Sequence, residues 1–559
     1  MEARNRSLSD WFARIRSGQI VLPRFQRFEA WTHRHVTDLL DTVLRGLPAG
    51  ALLVLEIGDS EPFISRPMQG APDAEGRPVE HLLDGQQRLT ALWRSLTGDY
   101  DDRDYFVERV TGEAARDDES LVEGDWRTTT VPRYLRNGQR YPRWADSPRE
   151  IWRRKMIPVH LLRPDSSAEG AFSEWRATAT DGTTEDLIEL VQAASELRGR
   201  FARFNLPFLS LPIGTSPDTA LDVFVQMNTS AQPLTTYDIV VAQVEAGTGF
   251  SLHELVEDLQ AQAPDLERYA DLSRIILTSG ALLQDRSPSQ SVMRGRDFCE
   301  ALIDQWDDLV QGVRRTELFL EEERVFDHRR IPSDPVVALL VALWARAPEG
   351  LDGEGEARTI LRRFLWRAFA TDRYERSSNS RSRADYRLLR SRLGGVDDGL
   401  PPIFDEESHP LPSAQELKAA GWPGRKDRLG RAIMLVSLAH GGLDFADGGH
   451  ATYDSILKRE YHHLYPRAFL RAQGVNDSLS NRALNCALVT WRTNRNIAAK
   501  DPANYVRERV DQASLGEAEV RRRLESHLIP VQELMAGDYE AFLDARAEVL
   551  HPHLADRCR

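Results

Sequence analysis

The chain has 559 residues, of which 41% are hydrophobic and 28% charged, and its formal net charge is -14 at pH 7. This composition is typical of a soluble globular protein with room for about three or four domains, and the acidic balance argues against a protein that simply coats nucleic acid. Three widely spaced cysteines form neither a disulfide framework nor a CxxC metal site, and the first residues lack a signal-peptide pattern, so we expect a cytoplasmic protein without a membrane segment.

Residues 1–245 mix predicted helices and strands, which favours an α+β fold class with an α/β N-terminal domain. The segment 35–46 has helical spacing of its apolar residues, ALLVLEI at 51–57 predicts a strand, and the polar stretch 109–150 predicts an insertion or a long loop. The residues expected on the buried face of the first helix are Val36, Leu39, Leu40, Val43 and Leu44.

The stretch HLLDGQQRLTAL, residues 81–92, places polar residues between an apolar run and a predicted helix. Asp84 and Gly85 therefore lie at a strand-to-helix turn, where free backbone N–H groups and the helix dipole favour an anion. The amides of Gln86 and Gln87 could read a base or a ribose, and Arg88 could fork onto a phosphate. The alternative is an ordinary helix start with a polar first turn.

A second polar stretch, VLPRFQRFEAW at 21–31, alternates basic groups with aromatic rings. This pattern suits contact with phosphates and stacked bases, which makes Arg24, Phe25 and Gln26 candidate DNA-binding residues. A packed aromatic cluster with snorkelling arginines explains the same pattern equally well.

A third stretch, FVQMNTSAQPLTTYDIVVAQV at 224–244, predicts an apolar segment, a polar loop and a second helix that begins at Thr235 or Thr236. The loop carries Asn228, which is either a functional residue or a plain turn residue.

The order of these three stretches resembles the N-terminal domain of restriction proteins of the GmrSD and SspE type, over roughly the first 245 residues. The resemblance implies a ParB-like α/β domain that binds or hydrolyses a nucleotide, with Asp84 as a carboxylate that holds a metal or orients a water. There is no GxxxxGK[ST] sequence, so this is not a P-loop. The implied nucleotide pocket consists of Asp84, Gly85, Gln86, Gln87 and Arg88, with Gln26, Arg27 and Asn228 nearby.

The rest of the chain predicts a helical region at 246–393, a linker rich in Gly, Pro and acidic residues at 394–429, and a compact C-terminal unit at 430–559. The apolar run at 335–345 is too short to span a bilayer and predicts a buried helix. No internal repeat is evident.

The segment 371–390 in the helical region is polar and rich in arginine. It is either a surface that faces DNA phosphates or a solvated loop. The arginines concerned are Arg373, Arg376, Arg381 and Arg383.

Two stretches of the C-terminal unit, REYHHLYPRAFL at 459–470 and SNRALNCALVTWRTNRNIAAKDPANY at 480–505, resemble an HNH nuclease. In that ββα-metal fold a hairpin and a helix hold one divalent cation. The resemblance implies that His463 is the general base, that His462 and Asn494 are the metal ligands, and that Asn485 holds the hairpin and positions the base. Arg495 follows the second ligand and is a candidate DNA contact.

The sequence departs from the HNH pattern at two of these positions. His462 stands where many members have Asp, which makes the site softer and favours Mn²⁺ or Ni²⁺ over Mg²⁺. The helical ligand is Asn rather than His. A partly buried hydrogen-bonded cluster of the histidines with Tyr461 and Tyr465 is the bland alternative.

Together these features predict a modification-dependent DNA restriction endonuclease of bacterial antiphage defence. The expected cofactors are Mg²⁺ or Mn²⁺ and a nucleoside triphosphate (GTP, ATP or CTP), and the expected substrate is double-stranded, modified DNA. A homo-oligomer or further defence proteins are candidate partners. The alternatives are an NTPase, or a ParB-like DNA-binding regulatory protein with an inactive HNH domain.

Overall fold

The computed structural model describes residues 1–26, 30–73, 76–110, 122–135, 138–180, 182–227, 235–424, 427–490, 500–512 and 516–559. The chain divides into two compact units, Met1–Leu252 and His253–Arg559. Within the described ranges no helix is long and apolar enough to cross a membrane.

The first unit alternates strands with helices. Its strands are β1 (Glu2–Ser7), β2 (Ile20–Pro23), β3 (Leu52–Glu56), β4 (Ser65–Arg66), β5 (Glu80–Asp84), β6 (Arg103–Arg109), β7 (Trp126–Pro132), β8 (Met156–Pro158) and β9 (Asn205–Leu211). Its helices are α1 (Leu8–Arg16), α2 (His33–Leu44), α3 (Gln86–Thr97), α4 (Pro148–Arg153), α5 (Ser166–Ala179), α6 (Thr184–Arg203), α7 (Pro217–Met227) and α8 (Thr236–Thr248). Short 3₁₀ turns occupy Arg143–Asp146 and Val159–Leu162.

Six strands form a mixed sheet in the order β1-β9-β3-β5-β2-β4, in which β3 pairs with β9 and β2 with β5 in parallel and the other neighbours are antiparallel. A second, antiparallel sheet has the order β7-β6-β8. The apolar faces of α1, α2, α3 and α6 contribute to one buried core with both sheets. The mixed sheet places the end of β5 and the start of α3 beside the turn that precedes β3.

Most sequence predictions for this unit are confirmed. Helix α2 buries all five apolar residues expected on its inner face, β3 matches the predicted strand, and Thr235 caps the helix that begins at Thr236. Of the two alternatives for 109–150, the long loop is wrong at Trp126–Pro132, where β7 pairs with β6 along its whole length, and the insertion stays a prediction. Along β7 the buried residues Trp126 and Thr128 alternate with more exposed residues. Only one of these two buried residues is apolar, so the sequence lacks the apolar alternation that predicts a strand.

The second unit is mainly helical. Its helices are α9 (Leu252–Gln262, beginning at the boundary), α10 (Leu272–Leu283), α11 (Gln290–Met293), α12 (Arg296–Asp304), α13 (Trp306–Glu322), α14 (Val336–Trp344), α15 (Leu351–Ala370), α16 (Ser378–Leu393), α17 (Ala414–Ala419), α18 (Arg428–His440), α19 (Tyr453–Ile456), α20 (Arg467–Ala472), α21 (Asp477–Ser480), α22 (Pro502–Gln512), α23 (Gly516–Glu525), α24 (Val531–Ala536) and α25 (Tyr539–Arg557). Its strands are β10 (Arg459–His463) and β11 (Cys486–Thr490), and 3₁₀ turns occupy Leu266–Arg268, Pro402–Phe404 and Ala483–Asn485.

Helix α14 is buried along its entire length, as its sequence predicted. The segment 394–429, predicted as a linker, is instead built into the unit. Ile403 and Phe404 are buried, α17 carries a capping box, and Leu417 is fully buried. The Gly, Pro and acidic residues that suggested a linker supply turns and helix caps.

Strands β10 and β11 form an antiparallel pair in which His462 is opposite Ala487 and His463 is opposite Cys486. The fully buried guanidinium of Arg546, on α25, donates to the carbonyl oxygens of Leu484 and Cys486. Since these carbonyls flank the start of β11, Arg546 fastens the strand pair to the C-terminal helix. The C-terminal helix therefore holds the β10–β11 hairpin at the start of β11.

Candidate functional site

His462 and His463 are the last two residues of β10. Successive side chains of a strand point to opposite faces, so the two imidazoles leave the strand in different directions. His462 is buried, whereas His463 is half-buried. The two histidines therefore differ in surroundings, and only His463 lies beside Trp422.

Two residues hold His463 in place. The imidazole stacks on the indole of Trp422, with ring centroids 4.0 Å apart and an interplanar angle of 21°. Its Nε2 lies 2.9 Å from Oδ1 of Asn481. Because an amide oxygen can only accept, Nε2 carries the proton and Nδ1 keeps a lone pair.

The surroundings of His463 also set its charge. Burial lowers the pKa of His463 below the usual 6.5, the hydrogen bond with Asn481 opposes this change, and the positive charge of Arg467 lowers the pKa further. The imidazole is therefore neutral at pH 7, with Nδ1 able to accept a proton.

Asn485 is fully buried and closes the loop between β10 and β11. Its Oδ1 accepts from the backbone N–H of Tyr465 at 2.8 Å, and its Nδ2 donates to the carbonyls of Tyr465 and Ser480 at 3.1 and 2.9 Å. These three hydrogen bonds all join the Asn485 side chain to the backbone of the same loop. Asn485 thus fixes the chain that follows His463.

Trp422 and Asn481 were not singled out by the sequence. Trp422 lies in the segment predicted as a linker, and an isolated bridge between Gly421 and Arg482 joins that segment to the hairpin loop. Asn481 follows the short helix α21. Nothing in the local sequence indicates a site at either residue. Trp422 stands between a glycine and a proline, and Asn481 follows a short polar helix.

The described residues include one of the two predicted metal ligands, His462. The structure groups no three His, Cys, Asp or Glu side chains around one point in the residues that it describes. His462, the predicted ligand on β10, is buried, and an imidazole ligand would suit Mn²⁺ and similar ions. Asn494, the other predicted ligand, and Arg495, the predicted DNA contact, lie outside the described residues.

In the first unit, Asp84 ends β5 and Gly85 turns the chain into α3. Gly85 has φ +90°, and a Cβ added there would lie 2.0 Å from Cδ2 of Leu52, so only glycine fits. The turn leaves the start of α3 without a side-chain cap. Backbone N–H groups at such a start suit an anion, which is what a nucleotide phosphate would require.

Arg88 is directed toward the protein's own backbone. Its guanidinium donates to the carbonyls of Ala49 and Ala51 at 2.9 and 3.0 Å and to the carboxylate of Asp84 at 3.1 Å. It therefore braces the turn before β3 against the end of β5. Gln87 accepts the backbone N–H of Ala30 at 2.8 Å, and Gln86 is buried at the first position of α3.

Gln26 links the first polar stretch to the second. Its amide donates to the carbonyls of Leu82 and Leu83 at 2.8 and 2.7 Å, and its buried Oε1 has no hydrogen-bond partner among the residues described. An orphaned acceptor beside the start of α3 fits a ligand that carries a donor, such as a base or ribose.

The proposal that Phe25 stacks on DNA bases was wrong. Phe25 is buried and its ring packs 5.2 Å from Phe63 and 6.0 Å from Phe224, which places it in the core. Arg24 is half-buried. Burial raises the pKa of Glu245 to about 7, and the positive charge of Arg24 opposes this rise. The aromatic-cluster interpretation therefore describes this stretch.

The three polar stretches meet in one region of the first unit, because Gln26 binds the backbone at 82–83 and Phe25 contacts Phe224. Arg27 and Asn228, two predicted members of the pocket, lie outside the described residues.

The arginines at 373–383 do not form a common DNA-facing surface. Arg373 is buried in an ion pair with Asp385 at 2.9 Å, Arg381 donates to the carbonyl of Arg373 at 2.8 Å, and Arg383 pairs with Asp285 at 3.1 Å. Arg376 is exposed. The DNA-facing alternative loses Arg373, which is buried against Asp385, and the solvated-loop alternative is wrong from Ser378 onward, because Ser378–Leu393 is a helix.

Comparison with known proteins relates these features to a family. Residues 8–245 match the family model described as GmrSD restriction endonuclease, N-terminal domain. Over 539 residues the chain is 20% identical to "Uncharacterized protein MJ0686" of Methanocaldococcus jannaschii, a match that covers 90% of this chain and 87% of that protein. The family match therefore relates residues 8–245 to the N-terminal domain of GmrSD restriction endonucleases.

Proposed function

We propose that this protein is a modification-dependent DNA endonuclease of antiphage defence, in which the β10–β11 hairpin cuts DNA and the N-terminal domain binds a nucleoside triphosphate. The observation that carries the proposal is the orientation of His463, whose Nδ1 is left with a lone pair by the Nε2 hydrogen bond to Asn481. A base that is neutral at pH 7 and held on two sides suits removal of a proton from water.

In the proposed reaction, Nδ1 of His463 takes a proton from a water molecule while the water oxygen attacks the phosphorus of a phosphodiester. The P–O3′ bond breaks, and the leaving oxygen is protonated by solvent. Trp422 keeps the imidazole plane fixed, and Asn481 keeps the proton on Nε2. Asn485 holds the loop that follows the base.

His462 and Asn494 are the residues that would hold a divalent metal, Mg²⁺ or Mn²⁺. When bound, such an ion polarises the phosphate and stabilises the charge on the leaving oxygen. The imidazole of His462 favours Mn²⁺ over Mg²⁺ because nitrogen is a softer donor than a carboxylate oxygen.

The N-terminal domain is proposed to bind GTP, ATP or CTP at the start of α3 and to control the nuclease. Backbone N–H groups after Gly85 would meet a phosphate, Asp84 would orient water or a metal, and the orphaned Oε1 of Gln26 would accept a donor of the nucleotide. Arg88 supports this turn from behind through Ala49 and Ala51.

The decisive experiment measures the rate at which the protein converts supercoiled plasmid to the nicked form. It compares modified with unmodified DNA, Mg²⁺ with Mn²⁺, and each nucleoside triphosphate in turn. His463→Ala should reduce the nicking rate by about 10²–10⁴-fold, the usual contribution of a general base. His450→Ala is the matched control, since His450 is an exposed histidine of the same unit. A His463→Ala protein that nicks at the wild-type rate would disprove the assignment.

A second candidate is a protein whose main activity is hydrolysis of a nucleoside triphosphate, with the hairpin serving only to hold DNA. The start of α3 favours this second candidate. It has no side-chain cap, so it could bind a phosphate independently of the metal ligands proposed for the hairpin. Phosphate release by wild-type protein that shows no nicking, together with loss of release in Asp84→Asn, would select this candidate.

A further inference from the structure

The second unit contains a cavity of about 980 Å³ that lies at the starts of several helices, and we call it the helix-start cleft. Helices α10, α14, α16 and α18 all begin at or beside it. Residues that line the cleft include Arg274, Arg329, Ser333, Ser378, Arg428 and Tyr461.

The helix starts give the cleft a positive polarity. The first N–H groups of a helix have no partner within the helix, and the dipole adds a partial positive charge. The carboxylates of Asp271 and Asp427 cap α10 and α18. In the described chain, α14 and α16 begin without a side-chain cap, and the N–H of Val336 at the start of α14 donates to the carbonyl oxygen of Ser333 at 3.5 Å.

The side chains add to this polarity. Four arginines line the cleft, against the carboxylates of Asp271, Asp334 and Glu375. Glu375 pairs with Arg428 at 2.9 Å, and Asp334 lies 3.6 Å from Arg274. Arg329 is exposed and has no hydrogen bond or ion pair to any residue that the structure describes, so its charge is uncompensated.

Ser333 provides an independent sign of a ligand. It is only 7% exposed, yet it lines the cleft and its hydroxyl makes no hydrogen bond to the described part of the chain. Because the rest of the residue is buried, the cleft is the side from which a partner can reach this hydroxyl. A phosphate oxygen in the cleft would supply the missing partner.

The cleft adjoins the proposed catalytic base. Tyr461 lines it and stands two residues before His463 on β10, on the same face of the strand. Pro423 and Gly424, which also line the cleft, directly follow Trp422, the residue stacked on His463. A strand of nucleic acid that passes His463 would therefore reach the cleft.

We propose that the helix-start cleft binds phosphates of the DNA strand beside the bond that His463 attacks. This inference rests on the proposed nuclease function for the identity of the strand. Backbone N–H groups, the Ser333 hydroxyl and Arg329 contact phosphate oxygens without reading sequence, so the cleft sets the position of the DNA along the hairpin.

The test measures binding of a fluorescent DNA duplex by anisotropy in EDTA, so that no cleavage occurs, at several salt concentrations. Arg329→Gln should weaken binding by about three- to tenfold and reduce the slope of log K against log salt by about 0.9, the value for one lost phosphate contact. Ser333→Ala should weaken binding by a similar factor without changing the slope. Arg314→Gln is the matched control, an exposed arginine that does not line the cleft.

Wild-type affinity in both Arg329→Gln and Ser333→Ala would overturn the inference, even if His463→Ala still abolishes nicking. Weaker binding in these two variants would support the cleft even if the wild-type protein never nicks DNA, in which case only the proposed function fails. Binding of inorganic phosphate or ATP that is lost in Arg329→Gln, while the same variant binds DNA with wild-type affinity, would assign the cleft to a free phosphate compound and overturn the DNA assignment.

Discussion

The two polar regions of this protein use similar residue types in opposite ways. In the hairpin, His463 has one ring nitrogen bound by Asn481 and the other left with a lone pair. In the first unit, Arg88 and Gln26 direct their donors to the carbonyl oxygens of their own fold. One ring nitrogen of His463 can thus accept a proton, whereas Arg88 and Gln26 use their donors to hold a turn in place.

The same distinction applies inside the hairpin. Asn485 belongs to the predicted catalytic set, yet its bonds are all to the backbone of the loop. In the proposed reaction its contribution would therefore be indirect, through the position of the chain after His463.

The largest effect on stability is expected at Asn485. Asn485→Ala removes three internal hydrogen bonds and leaves buried backbone groups of Tyr465 and Ser480 unpaired, so the free energy of unfolding should fall by about 3–4 kcal/mol. Urea unfolding of the full chain measures this change, with Asn504→Ala, an exposed helical asparagine, as the control. Loss of nicking at unchanged stability would instead place Asn485 in the chemistry.

Arg88 tests the other side of the comparison. Arg88→Ala should lower the free energy of unfolding by about 2–3 kcal/mol, because two backbone carbonyls and Asp84 lose a charged donor. Arg45→Ala, an exposed arginine of the same unit, should have almost no effect on urea unfolding. If Arg88→Ala kept full stability and lost only nucleotide binding, the residue would be a phosphate ligand rather than a brace.

Asn481 tests whether the orientation of His463 matters. Asn481→Ala should reduce nicking about 10–100-fold, as loss of a residue that orients an imidazole usually does. Asn481→Asp also accepts a hydrogen bond from Nε2–H and should restore most of the rate, while its charge raises the pKa of His463 and moves the acidic limb of the pH profile upward. Equal loss in both variants would show that Asn481 has only a structural role.

Much of the architecture was predictable because it depends on local periodicity. The apolar spacing of α2 and the uninterrupted apolar run of α14 identify buried helices without any knowledge of their neighbours. His463 and Asn485 were singled out because their order along the chain resembles an HNH motif, and their catalytic roles stay predictions. The structure pairs β10 with β11, so that His463 ends one strand and Asn485 directly precedes the other.

The contacts that decide the role of each residue were not predictable, because they join distant positions. Trp422 lies on His463 across 41 positions of sequence, and Gln26 binds carbonyls more than 50 residues away. Arg373 looked like a DNA contact until its partner Asp385 was known. Composition alone could not distinguish such a buried pair from a solvated basic stretch.

The smallest effect is expected at Trp422, and it concerns pH rather than the maximal rate. Burial lowers the pKa of His463, so neutral base persists below pH 6.5 and activity should be lost only as the pH falls through that lowered value. Trp422→Leu removes the stacked ring and admits water, which should raise the pKa of His463 toward 6.5 and shift the acidic limb of nicking upward by less than about one pH unit. The rate at pH 8 should change little, because the imidazole is neutral in both proteins. An acidic limb that stays in place in Trp422→Leu would show that the indole does not control the protonation of His463, and that Asn481 alone prepares the base.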